Sequence, residues 1–321
     1  MKISENGKNF DLTALFRILY EIRTMKDQRN IIIANALNVL KETGCQTLFL
    51  FLDTISQYRW FLKSDFAGEG TIVLIIPKTL LITESELMNF GIEIIRSWSG
   101  NQTRFSRIKY AFLHGVLQGV IHEESKVVCV LGPSGKSHLD TITIHDLSFS
   151  WSEEFPFDVR PLIKNRAFYI VMAVVDIALD IGALGREGKS VGTTFVVGDE
   201  ENVLMNSHQA VFNPFKGYSR RERMITLPEV VESIKELAKL DGAIIISSNG
   251  VVEAAGRNLD AGSVVMKRFR GLGSRHRAAA GITRRTGAVA VVVSESTGKV
   301  TIFQNGRIVA ILEPLISRRM A

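Results

Sequence analysis

The sequence predicts two α/β domains in succession, a layered domain around a largely parallel sheet over residues 1–150 and a second over residues 160–321. Three observations carry this. The first half alternates helix-spaced segments with short, continuous apolar runs, the pattern of strands buried in a parallel sheet. SWSEEFPFDVRP, with prolines at 156 and 161 and mixed charge, reads as a linker. The chain then closes on three apolar runs separated by turn residues, an antiparallel meander. Its 321 residues suit about two domains. With 46% hydrophobic and 22% charged residues, the composition excludes disordered and fibrous classes.

In chain order, DLTALFRILYEIRTM and IIIANALNVLKETG predict two helices. QTLFLFL, GTIVLIIP, IEIIRSW and KVVCVLG predict buried strands, and TESE, Thr83 to Glu86, fits a capping box that opens a short helix. Residues 167–184, AFYIVMAVVDIALDIGAL, predict a long helix. It carries Asp176 and Asp180 and falls short of about 20 uninterrupted apolar residues, so a buried helix is expected and not a membrane span. GTTFVVGD reads as a strand, NPFKGY as a turn-rich loop, and LPEVVESIKELAKL as a helix with Pro228 in its first turn. DGAIIIS and GVVEAAG are strands joined by SSNG, and a helix follows from Ser274. GAVAVVVS, KVTIFQ and RIVAILE form the meander, turned by ESTG and by Asn305-Gly306.

The opening MKISENGKNF has polar and acidic residues where a signal peptide needs a basic and then an apolar segment, so a cytoplasmic chain is expected. Cys45 and Cys129 lie far apart and in no zinc-binding spacing, which predicts two buried, reduced thiols. The net charge of +6 is uneven. Between Asp260 and Glu295 there is no acidic residue, while Lys267, Arg268, Arg270, Arg275, Arg277, Arg284 and Arg285 all occur there. That local excess implies an anionic partner, whether nucleic acid, a phosphate-bearing nucleotide or a membrane surface.

GPSGKS, residues 132–137, follows an apolar strand and resembles a P-loop, but the motif requires a glycine where Val130 stands. A solvent-exposed turn is the expected reading. Two other motifs fit a nucleotide better. Asp241-Gly242-Ala243 opens a strand directly after a helix, setting a carboxylate beside two residues with almost no side chain, where a sugar or phosphate can approach the backbone. Gly273-Ser274-Arg275-His276-Arg277 begins the next helix, with Ser274 as the expected N-cap. Cations in a first helical turn oppose the helix dipole unless an anion lies between them, and arginine offers planar, multi-donor recognition of phosphate oxygens. The motif therefore reads as a polyphosphate clamp, set against a solvated basic helix face.

Together, LAKLDGAIIISSNGVVEAAGRNLDAG, GLGSRHRAAAGITRRTGAVAVVVSESTG and KVTIFQNGRIVAILEP resemble the diadenylate cyclase (DAC) domain family of DisA-type proteins, from near Arg160 to Pro314. The resemblance implies a mixed central sheet flanked by helices. It also implies condensation of two ATP molecules into cyclic di-AMP with release of two pyrophosphates, a divalent metal (Mn2+ or Mg2+), and a homo-oligomer whose domains meet face to face. Carried across, Asp241 with Gly242 and Ala243 sits next to ribose and metal, and Leu259 lies beside adenine. Gly273, Ser274, Arg275, His276 and Arg277 match the family's G-T-R-H-R with serine in place of threonine, and Ser294 matches its phosphate-contacting serine, with Glu295 as the neighbouring ATP-side position. Asp241 is expected as metal ligand, general base or both. Residues 1–150 resemble the C-terminal domain of pyruvate kinase, an arrangement typical of archaeal-type stand-alone cyclases. The chain stops soon after Pro314 and has no membrane helices, so neither DNA nor a membrane is an expected partner. The competing readings are a non-catalytic sensor of ATP or a cyclic dinucleotide, and a nucleic-acid-binding protein that uses residues 267–285.

Overall fold

The computed structural model describes residues 12–68, 72–82, 91–148, 157–185, 189–260 and 273–315. Helix α1 (Leu12–Thr43) runs unbroken through the two segments expected as separate helices. Its joining residues KDQRN contain neither Gly nor Pro, so nothing ends the helix there. Then come β1 (Thr47–Phe51), α2 (Ile55–Leu62), β2 (Ile72–Pro77), β3 (Glu93–Ser97), α3 (Arg104–Leu117), β4 (Lys126–Leu131) and β5 (Thr141–Asp146). The strands form one sheet in the order β3-β2-β1-β4-β5. β1 is parallel to β2 and β4, while β5 is antiparallel to β4. The unbroken apolar runs of β1 and β4 suit strands buried on both faces, and the more polar TITIHD of β5 suits an edge. Thr83 to Glu86, the expected capping box, lies outside the described residues. Cys45 and Cys129 are buried and free, and burial pushes the Cys129 thiol well above its usual pKa.

The second sheet is mixed, as the resemblance implied. It follows α4 (Arg160–Ile163) and α5 (Phe168–Leu184), and its strands are β6 (Thr193–Val197), β7 (Ser207–Gln209), β8 (Ala243–Ile246), β9 (Val252–Leu259), β10 (Val289–Val293), β11 (Val300–Gln304) and β12 (Arg307–Leu312). Their order is β12-β11-β10-β6-β8-β9-β7, with β6 and β8 parallel and the other described pairings antiparallel. Helices α6 (Glu200–Met205), α7 (Pro228–Leu237) and α8 (Ser274–Arg285) connect them. Asn305 and Gly306 at the β11–β12 turn have φ of 52° and 70°, the positive values a two-residue hairpin needs.

The described residues group into two units, but not by a single cut. One takes those in 1–76, 80–94 and 126–146; the other takes 77–79, 95–125 and 147–321. Helix α3 groups with the later residues. Lys109 donates to the Ile311 carbonyl at 3.2 Å, the Glu313 amide to Ser106 Oγ at 2.7 Å, and the Tyr110 hydroxyl to Asp176 at 2.6 Å. These ties also explain the two acids in the apolar helix. Asp176 pairs with Lys78, while Asp180 accepts from Trp98 Nε1 at 2.7 Å and pairs with Lys235 at 3.1 Å. Burial nevertheless holds the Asp176 carboxyl above its usual pKa. Among the described residues, no helix is long and apolar enough to cross a membrane.

Candidate active site

The register of the second sheet brings the separated motifs to one end. Thr194 of β6 is paired with Ala243 of β8, and Thr193 with Val293 of β10. The starts of β6 and β8 therefore lie beside the end of β10, where Ser294 and Glu295 follow. On β9, Arg257 is paired with Ala243, so Leu259 continues past the start of β8 at the same end, packed against the hydrophobic core. Helix α8 lays Ala279, Ala280 and Ile282 on a face built from Val196, Ala243, Ala290 and Val292. That docking sets its first turn over the sheet end.

Two glycines shape the site. Gly242 has φ of 101°, and a side chain there would meet the Gly256 carbonyl carbon at 2.7 Å, so only glycine lets Asp241-Gly242-Ala243 turn this closely against β9. Gly192, which the sequence reading missed, leads into β6. A Cβ on it would lie 2.8 Å from Glu295 Cβ, 3.1 Å from the Glu295 amide and 3.0 Å from Arg275 Nη1. The signal for it was weak, a glycine in VGTT before an apolar run.

At the centre, Arg275 Nη1 donates to Glu295 Oε2 at 3.1 Å, and its Nη2 lies 3.8 Å from Asp241 Oδ1. One guanidinium thus links three motifs far apart in sequence. The Asp241 side chain is 92% exposed, which leaves its carboxylate open to a ligand. Ser294 Oγ lies 3.3 Å from Ser296 Oγ, also at the surface.

The helix start differs from expectation in one respect. Gly273 is the N-cap, in extended conformation, its carbonyl accepting from the Arg277 amide at 3.2 Å; Ser274 is the first helical residue, and no side chain caps the helix. Glycine is tolerated at an N-cap, and the first-turn N–H groups keep their attraction for an anion. His276 turns towards β11, with Nε2 3.5 Å from Thr301 Oγ1 and its ring edge-on to Phe303 at 6.0 Å. Burial lowers its pKa and so favours the neutral ring. Arg277 is half-buried in the same turn.

No group of three or more His, Cys, Asp or Glu side chains among the described residues forms a metal cage. Asp241 alone, open to solvent, fits a cation held jointly with substrate phosphates, the usual manner for Mg2+, which binds through one or two carboxylates plus phosphates and water.

Residues 180–308 match the family model described as "DisA bacterial checkpoint controller nucleotide-binding", DAC. A diadenylate cyclase of Methanocaldococcus jannaschii is 36% identical over 209 residues, which cover 64% of this chain and 66% of that protein. A diadenylate cyclase of Haloferax volcanii is 28% identical over 269 residues, 83% of this chain and 93% of that protein. Among solved structures, DacA from Staphylococcus aureus is 23% identical and covers 44% of this chain and 84% of that one, with a TM-score of 0.28.

Proposed function

With residues 180–308 a member of the DAC domain family, we propose that this chain is a diadenylate cyclase that joins two ATP molecules into cyclic di-AMP. The observation that carries this reading is the Arg275 guanidinium, held between Glu295 and Asp241 at the uncapped start of α8. It places a cation, free helix N–H groups and an open carboxylate within one nucleotide's reach.

In each of two symmetric steps the 3′-hydroxyl oxygen of one ATP attacks the α-phosphorus of the other. A phosphodiester P–O bond forms, the bond from that phosphorus to the bridging oxygen breaks, and pyrophosphate leaves. The hydroxyl proton passes to the Asp241 carboxylate or to the solvent that bathes it. Positioning and charge neutralisation supply most of the catalysis in such transfers. Two facing triphosphates repel strongly, since one pair of unit charges about 4 Å apart costs about 4 kcal/mol at an effective dielectric of 20. The incoming triphosphate draws Arg275 from Glu295, and Arg277 and the first-turn amides add to the cradle. Ser274 and Ser294 supply hydroxyl donors to phosphate oxygens, while His276 steadies the turn that carries both arginines. A divalent cation, Mn2+ or Mg2+, would be held by Asp241 and would neutralise phosphate charge when bound. Each chain offers one such site, so turnover needs two chains face to face.

The test is incubation of the full chain with ATP and Mn2+, with the product identified by mass and pyrophosphate release measured. Cyclic di-AMP, formed at a specific activity that falls on dilution, is the expected result. ATP binding without product would instead favour a nucleotide sensor and reject the cyclase.

A further inference from the structure

The first unit contains a concavity of about 500 Å³ that the cyclase reading does not use. Arg29 and Asn30 of α1 line it, with Ser56, Arg59 and Trp60 of α2 and Lys63 at the C-cap of α2. Arg59 lies in the last turn of α2, and Lys63 is its C-cap four residues on. Arg29 joins them from a separate helix, its guanidinium carbon 5.4 Å from the centroid of the Trp60 ring. Its Nε is buried and has no hydrogen-bond partner, an arrangement that costs the fold its desolvation. Asp65 is the one carboxylate among the residues that line it.

We propose that this concavity binds a small anion carrying a phosphate group. Three cationic side chains converge from two helices, with Ser56 and Asn30 as neutral donors beside them, and a tetrahedral phosphate has enough acceptor oxygens to meet them together. The volume falls within the range of small-molecule sites, about 300–1,000 Å³, and the Trp60 ring gives an apolar wall to the body of a phosphate ester. The ligand neutralises the cationic cluster.

The test is 19F NMR of the full chain labelled with 5-fluorotryptophan. The chain has three tryptophans, and Trp60→Phe assigns the resonance of interest. Ribose 5-phosphate and inorganic phosphate are titrated separately at constant ionic strength, with chloride as the control. A saturable shift of the Trp60 resonance is expected, weakened at least tenfold in the Arg59→Ala/Lys63→Ala double variant and largely restored in Arg59→Lys/Lys63→Arg. Tighter binding of ribose 5-phosphate identifies the occupant as an ester, and equal binding identifies it as the free ion. No saturable shift with either probe, a chloride response of equal size, or unchanged affinity in a double variant with a wild-type melting curve overturns the proposal. The readout lies in the first unit and does not depend on ATP turnover.

Discussion

Arg275 and Asp241 touch the same ion cluster but have separate tasks, so their removal should fail in different ways. Asp241→Asn keeps the phosphate clamp and loses the charge beside the attacking hydroxyl, so ATP should still bind while product nearly disappears. Arg275→Ala strips a donor from the triphosphate, where one well-placed group is worth about 10²–10³ in rate, so affinity and turnover should fall together. Calorimetric ATP titrations with paired turnover assays separate the two, and normal turnover in Asp241→Asn rejects its catalytic role. Gly192→Ala tests the geometry behind both. Its new Cβ would press on the Glu295 amide at 3.1 Å, and backbone yields less readily than the tip of a side chain. A loss of at least about tenfold in turnover, 1.4 kcal/mol in the barrier, is expected with little change in melting temperature. Full activity in that variant would mean that the Arg275–Glu295 arrangement is not needed.

At the scale of elements, the strand–loop–strand around GPSGKS decides what that motif is. Residues 132–137 join β4 to antiparallel β5, so no helix N-terminus follows to receive a phosphate, and the Gly135 amide already donates to Asp53 at 3.0 Å. Lys136→Ala should leave ATP turnover within about twofold; a loss beyond tenfold, about 1.4 kcal/mol, would restore the motif as a nucleotide loop. Val130 had already made this legible, because one missing glycine breaks the spacing. The buried strands β1, β2, β4 and β6 and the final meander were legible for a similar reason, since their apolar runs and turn residues are local. What escaped was set by distance. That α1 continues through KDQRN was readable only from the absence of a breaker, and β5 and β7 are edge strands that their pairing defines. At the candidate site, Asp241 and Arg275 stood out through the DGA and RHR motifs and Glu295 through the family resemblance. Gly192 did not, because its importance lies in atoms contributed by residues about a hundred positions later. The lowered pKa of His276 is likewise a product of burial against β11, which no local pattern states.

For the whole molecule, two half-buried histidines set an acid limit. Burial lowers the pKa of His114 to about 4, with Lys78 adding to the effect, and burial also lowers His145 to about 4. Unfolded histidines take up protons near pH 6.5, which the folded ones resist until about pH 4. Stability present above about pH 6.5 is therefore lost as pH falls towards 4, at up to about 1.4 kcal/mol per pH unit for each histidine. Urea midpoints at pH 7 and pH 5 measure this, and His114→Phe, which removes a buried Nε2 without a partner, should roughly halve the difference. The grouping of residues 77–79 and 95–125 with the later part of the chain predicts a further result. A fragment of residues 160–321 lacks Lys78, Trp98 and Tyr110, which leaves Asp176 and Asp180 without three of their partners, so it should show no cooperative melt by circular dichroism. A sharp transition equal to that of the full chain would show that α3 is dispensable. The same threading imposes a schedule on synthesis. Ser106 waits for the amide of Glu313, 207 residues later. At about 5–20 residues per second a ribosome needs roughly 10–40 s to deliver it. Throughout that interval the apolar side of α3 has emerged without its final cover, so the nascent chain carries a sticky helix that must be shielded until its last strands arrive.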